Sequence, residues 1–143
     1  MFRRAPLQAL SIIALACGSA CALNSASASL PLDGQWGGEH AVVTAAAAGT
    51  HVELDCAHGD LSGRIKTDSH GAFEMSGSFV RERGGPVRRD APLDTVSATY
   101  EGSVRSDAMT LTIRLADSSE PIGPFTLIRD AAGHLVKCRQ TAG

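Results

Sequence analysis

The residues best suited to chemistry in this chain are charged and clustered. Arg81, Arg83, Arg88 and Arg89 flank a Gly84-Gly85-Pro86 bend, with Glu82 between the first two. Guanidinium forks and backbone N–H groups around such a bend can converge on a small anion. His58 stands in a second polar stretch, Asp55-Cys56-Ala57-His58-Gly59-Asp60. The expected ligand-binding set is therefore His58, Arg81, Arg83 and Arg88. The plainer account is a solvated loop in which Arg81 and Arg83 pair with Glu82, Asp90 or Asp94. Cys56, His58 and Cys138 form a candidate metal set, but C-x-H with one distant cysteine leaves a tetrahedral site incomplete. His40, His51, His58, His70 and His134 show no H-x-x-x-H spacing. No nucleophile motif and no carboxylate pair stands out, so the sequence assigns no catalytic residue, no metal and no cofactor.

These residues sit in a chain that carries an export pattern. Arg3 and Arg4 form a basic start, residues 7–16 are apolar, and Ala26-Ser27-Ala28 is a small-residue cleavage pattern. Together they read as a signal peptide over 1–28. The apolar run is too short for a spanning helix. A lipoprotein signal is the alternative, with Cys21 as the lipidated residue. The expected location is periplasmic or secreted, or anchored to the outer membrane if Cys21 carries lipid. Contact with a membrane is expected only in that case.

Cleavage would remove two arginines from a chain of 143 residues whose net charge is already −2. Such an acidic domain lacks the clustered cations that nucleic acid binding needs. Cys56 and Cys138 would be the only cysteines left. In an oxidising compartment two such residues pair, and they are expected to form one disulfide.

Residues 29–33 read as a linker, and 34–143 as one domain. Period-two alternation of apolar and polar residues predicts strands at 34–44, 51–56, 61–67, 72–81, 95–104, 109–115, 124–129 and 134–139. Short turns join most of them. The fold class expected is all-β, a small eight-stranded antiparallel up-and-down barrel closed on itself. In such a meander the connections alternate between rims. The long ones, 82–94 and 117–123, fall on one rim with 57–60, both termini and both cysteines. Two strand spacings, about 9.6 Å, would separate those cysteines. That exceeds the usual reach of a disulfide, so the bridge would have to pass beneath the start of the first strand.

Gly34-x-Trp36 resembles the opening of lipocalin-like (calycin) barrels. That resemblance implies a Trp plugging the closed end, with an Arg of the last strand packed across it. Arg129 is the residue for that part, by cation–π contact, although it falls on the seventh predicted strand. An ordinary core Trp is the alternative. The segments GQWGGEH, ELDCAHG, FVRERGGPVR, MTLTIRL, IGPFTL and LVKC are similar to blocks of a family of small exported bacterial proteins of unknown function. This second resemblance implies export and a single barrel, and carries no activity.

The functional expectation is a non-enzymatic exported barrel binding a partner protein or a small anionic ligand at its long-loop rim. One alternative is a carrier of a small apolar ligand inside the barrel. Another is an enzyme with a rim site around His58 and residues 81–89. So small a barrel should be filled by side chains, and a cavity above roughly 300 Å³ would favour the carrier.

Overall fold

Alternation of side chains is the main determinant of the architecture. The computed structural model describes residues 31–85 and 92–138. The expected signal peptide over 1–28, Cys21, Arg88, Arg89 and Arg139 therefore lie outside the described residues. The strands are β1 (Gly34–Gly37), β2 (Ala41–Ala46), β3 (Gly49–Leu54), β4 (Ala57–Ser62), β5 (Ala72–Arg81), β6 (Asp94–Arg105), β7 (Ala108–Leu115) and β8 (Ile122–Arg129). Each pairs antiparallel with the next, and β1 pairs with β8, giving a closed barrel in sequence order. Closure leaves no long free edge to aggregate.

Inward positions recur every second residue, as a half-buried strand requires. Val52 and Leu54 of β3, Ala57 and Leu61 of β4, Phe79 of β5, Tyr100 of β6 and Leu111, Ile113 and Leu115 of β7 all enter one core. Gly59 of β4 is the small partner in this packing. A Cβ there would collide with the Tyr100 hydroxyl, which donates to the Ser78 carbonyl at 2.7 Å. Burial, followed by the field of Asp60, pushes that phenol up to about 12, so it stays a protonated donor.

The strand count of eight is correct, but through two compensating differences. The expected first strand, 34–44, is two strands. It breaks at 38–40, where His40 has φ 68°. Of the expected eighth strand, 134–139, the described residues 134–138 form no strand, and among them the only ladder contact is an isolated parallel bridge between Glu39 and His134. Residues 57–60, expected as a turn, form most of β4, and much of the expected strand 61–67 is the connection to β5. His-Gly-Asp is turn chemistry locally, but the inward alternation of Ala57, Gly59 and Leu61 prevails.

Splitting the first strand reverses its direction relative to the cysteines. One rim carries the connections 38–40, 55–56, 82–93 and 116–121. The opposite rim carries 47–48, 63–71 and 106–107, with the start of β1 and the end of β8. The chain thus enters at the rim opposite Cys56, not beside it as expected. There Leu32 donates its N–H to the Ile65 carbonyl at 3.1 Å, and both side chains are buried.

After β8 the chain turns back as a strap, 130–138, across the outer face of β1 and β2. Gly37 and Gly133 make room for it. A Cβ on Gly37 would strike the 131–133 backbone, and one on Gly133 would strike Val42. The strap delivers Cys138 to Cys56, with Cα atoms 5.1 Å apart across a sequence separation of 82. The disulfide is therefore formed, and the two-strand gap never arises, because Cys138 arrives over the wall rather than along a neighbouring strand. A loop of this length stabilises by about 4 kcal/mol in the chain-entropy view.

Candidate functional site

Two ends of the barrel concern function. At the rim where the chain enters, Trp36 is fully buried, in register with Arg129, whose guanidinium carbon lies 4.1 Å from the ring centroid. Arg129 is on the last strand, so the mismatch of strand number disappears once 34–44 is split. Its Nη1 also donates to the Asp33 carbonyl at 3.2 Å. Leu32, Ile65, Phe73 and Met109 are buried at this end too. It is closed.

The Cys56 rim is open. β1 stops after pairing only Trp36 and Gly37 with β8, so the first half of β8 faces a notch in the wall. Pro124, in that half, presents no N–H to the notch and so discourages strand addition there. The notch and the barrel mouth form one cavity of about 670 Å³. Leu54, Ala57, Phe79, Leu115, Ile122 and Phe125 wall it, and His40, Asp55, Arg81, Glu82, Arg83 and Asp94 ring its edge. Below it the expectation of a filled interior holds, with Val43, Val52, Tyr100, Leu111 and Ile113 all at most 2% exposed.

The ring charges are spent on one another. Arg81 donates from Nη2 to both Asp117 oxygens at 2.9 Å and from Nη1 to Asp94 at 3.4 Å. The Asp117 bonds raise the guanidinium pKa and hold the Asp117 carboxyl below its usual range. Arg83 donates to the other Asp94 oxygen at 3.0 Å. Asp55 accepts from His40 at 2.6 Å and from the Val136 N–H at 2.8 Å. Burial pushes the Asp55 carboxyl up, but these donors outweigh it and the net shift is downward.

His58 does not join the arginines. It sits on β4 between inward Ala57 and Gly59, so it points outward. Its Nδ1 donates to Glu82 at 2.9 Å. On the same outer wall His51 donates to Asp60 at 2.7 Å and contacts Glu53 at 3.0 Å, while Lys137 of the strap bonds Glu53 and the Leu54 carbonyl. The expected set of His58, Arg81 and Arg83 is thus split between wall and mouth, and Arg88 lies outside the described residues. Both sulfurs of the candidate metal set are in the disulfide, and among the described residues no group of three His, Cys, Asp or Glu is placed around a metal.

The apolar mouth was not assigned from sequence. Its walls alternate like any inward face, and the opening exists only because β1 is short. The Trp36-Gly37-Gly38 run is the one local sign of that. The site defines a small closed barrel with one plugged and one open end. Compared with known proteins, the chain matches no family model, no curated protein and no solved structure.

Proposed function

We propose that this is a non-enzymatic binding protein whose mouth takes a small, neutral, apolar body. The observation that carries the reading is the pairing of an apolar cavity of about 670 Å³ with an edge whose charges are already matched. An anion at Arg81 or Arg83 would have to displace Asp94 or Asp117. An apolar group gains by leaving water, at about 25 cal/mol per Å² buried, without breaking any ion pair. The volume lies within the range of small-ligand pockets, roughly 300–1,000 Å³, and the site is the open mouth rather than the filled interior. Export through a signal peptide over 1–28 belongs to the same proposal. The basic start, the apolar run, the Ala26-Ser27-Ala28 pattern and a formed disulfide support it.

A second reading, a protein partner seating one apolar side chain in the mouth, is favoured by a specific feature. Leu93 and Val136 are 71% and 57% exposed and stand at this rim, beside Asp94 and on Asp55. Large exposed apolar residues next to an apolar pocket suit a contact between proteins.

Fluorescence of the neutral probe N-phenylnaphthylamine tests the first reading. Saturable enhancement is expected, and Ala57→Phe, which sets a ring in the mouth, should abolish it in a chain that still folds. Equal enhancement by that variant sinks the proposal. So does a preference of about tenfold for the anionic probe anilinonaphthalenesulfonate, which would return the site to the arginines.

A further inference from the structure

We propose that the Cys56–Cys138 bond is a redox clasp on the mouth. Its reduction frees the end of the strap, loosens the 55–56 turn and weakens apolar binding. The effect on binding rests on the reading of the mouth given above; the release of the strap does not.

The first part of the strap, 130–134, is tied to β1 and the 38–40 turn, where the His40 N–H donates to the His134 carbonyl at 2.8 Å and the His134 N–H to the Gly38 carbonyl at 2.9 Å. Its end, 135–138, is fastened mainly at one place. Asp55 takes the Val136 N–H on its side chain and the Cys138 N–H on its carbonyl at 3.2 Å. Lys137 donates to the Leu54 carbonyl at 2.9 Å and reaches Glu82 at 3.6 Å. Leu54, Asp55, Cys56 and Glu82 are all residues of the mouth. The strap therefore buttresses the wall that a ligand would touch.

Little apolar burial holds it there, and Leu135 is only half-buried. No residue of 130–138 belongs to the buried core, and Val136 is mostly exposed. What remains are hydrogen bonds and ion pairs in contact with water, each of which contributes little net. The covalent link turns these weak contacts into a lasting one by keeping the strap at high local concentration. Remove it, and the end of the strap, 135–138, opens independently of the barrel, as a segment with few buried contacts does.

Cys56 is exposed, so a thiol can reach it. The co-reactant is a dithiol. One of its thiolates attacks the disulfide to give a mixed disulfide and release one cysteine thiolate. Its second thiol then displaces the other cysteine. Two electrons and two protons end on Cys56 and Cys138, and the dithiol becomes a disulfide.

Amide hydrogen exchange on the folded chain, with and without dithiothreitol, tests this. Reduction should speed exchange at Val136 and Cys138 by about tenfold or more. Glu82, whose N–H donates to the Cys56 carbonyl at 2.9 Å, should follow, while β6 and β7 stay protected. N-phenylnaphthylamine should bind about fivefold more weakly, and reoxidation should restore both. Cys138→Ser should reproduce the reduced state without reductant. Unchanged exchange at Val136 and Cys138 overturns the clasp, whatever the probe does. Loss of protection in β6 and β7 overturns it as well, since the bond would then hold the whole barrel. Faster strap exchange with unchanged probe affinity refutes the coupling to the mouth. A probe that binds neither form refutes the reading of the mouth, and faster exchange at Val136, Cys138 and Glu82 still supports the clasp.

Discussion

At the closed end Trp36 fills the barrel, Arg129 lies over its ring, and Leu32 and Ile65 seal the bottom from the entering chain and the 63–71 connection. At the mouth the same barrel shows water an apolar wall, ringed by paired charges and backed by a strap that adds nothing to the core. Both ends use the same inward alternation. They differ in what caps the last layer of side chains. A sealed layer serves stability, and an unsealed one leaves apolar surface that a ligand or partner can cover.

Truncation at each end measures that difference most directly. Trp36→Ala removes a fully buried ring and leaves a void, and should cost about 3–5 kcal/mol. Leu115→Ala, at the 8% exposed edge of the mouth, leaves a space already open to water and should cost about 2 kcal/mol or less. Urea unfolding of the two variants gives the comparison. Equal losses would show that the mouth layer is as tightly sealed as the plug, and would remove the contrast.

The alternating stretches were legible in the sequence. Residues 72–81 form β5 as expected, and 109–115 form β7 with one more residue at its start. Their side chains report a strand because one face meets only core. Residues 34–44 misled because Gly37 and Gly38 carry no side chain to mark a face, and the reasons lie far along the chain, in the strap for Gly37 and in the Thr126 carbonyl of β8 for Gly38. Residues 134–138 misled in the opposite way. His134, Leu135 and Val136 look like a strand, yet β1 and β8 already close the barrel and leave no place in the sheet. The disulfide was legible because it needed only two cysteines and the expectation of an oxidising compartment. The grouping of His58 with the arginines failed because rim position was known but facing was not. Register decides facing, and the residue types of 57–60 predict a turn where β4 runs.

A smaller change sharpens the account of the plug. Arg129→Met keeps an apolar stem over the indole but removes the cation and its bond to the Asp33 carbonyl. A loss of about 1 kcal/mol is expected. Trp36 is the only tryptophan, so its emission reports the same end. If the variant were as stable as the parent, Arg129 would be a spectator and the seal would be wholly apolar.

The smallest effect separates the polar outer wall from the apolar plug by pH. Hydrogen bonds to Asp60 and then Glu53 raise the His51 pKa above its ordinary value of 6.5, against the opposing effect of burial. A histidine whose folded pKa is raised stabilises fully below the unfolded pKa, and that contribution disappears as pH climbs through the folded value. Glu53 behaves in the opposite sense. Lys137, then His51, hold its carboxyl below 4.5, so its contribution is present above the unfolded pKa and is lost on acidification through the folded one. The pair is therefore most stabilising between those two titrations, in mildly acidic solution. His51 is 40% exposed, and water screens it, so the expected contribution is only about 0.5 kcal/mol. His51→Asn should flatten the fall in stability above neutral pH in thermal melts. The difference between Trp36→Ala and parent should not change with pH over the same range, because an indole has no proton to lose there. A parent stability that rose from pH 6 to pH 8 would contradict the assigned His51 bonds and detach the outer wall from the carboxylates that hold it.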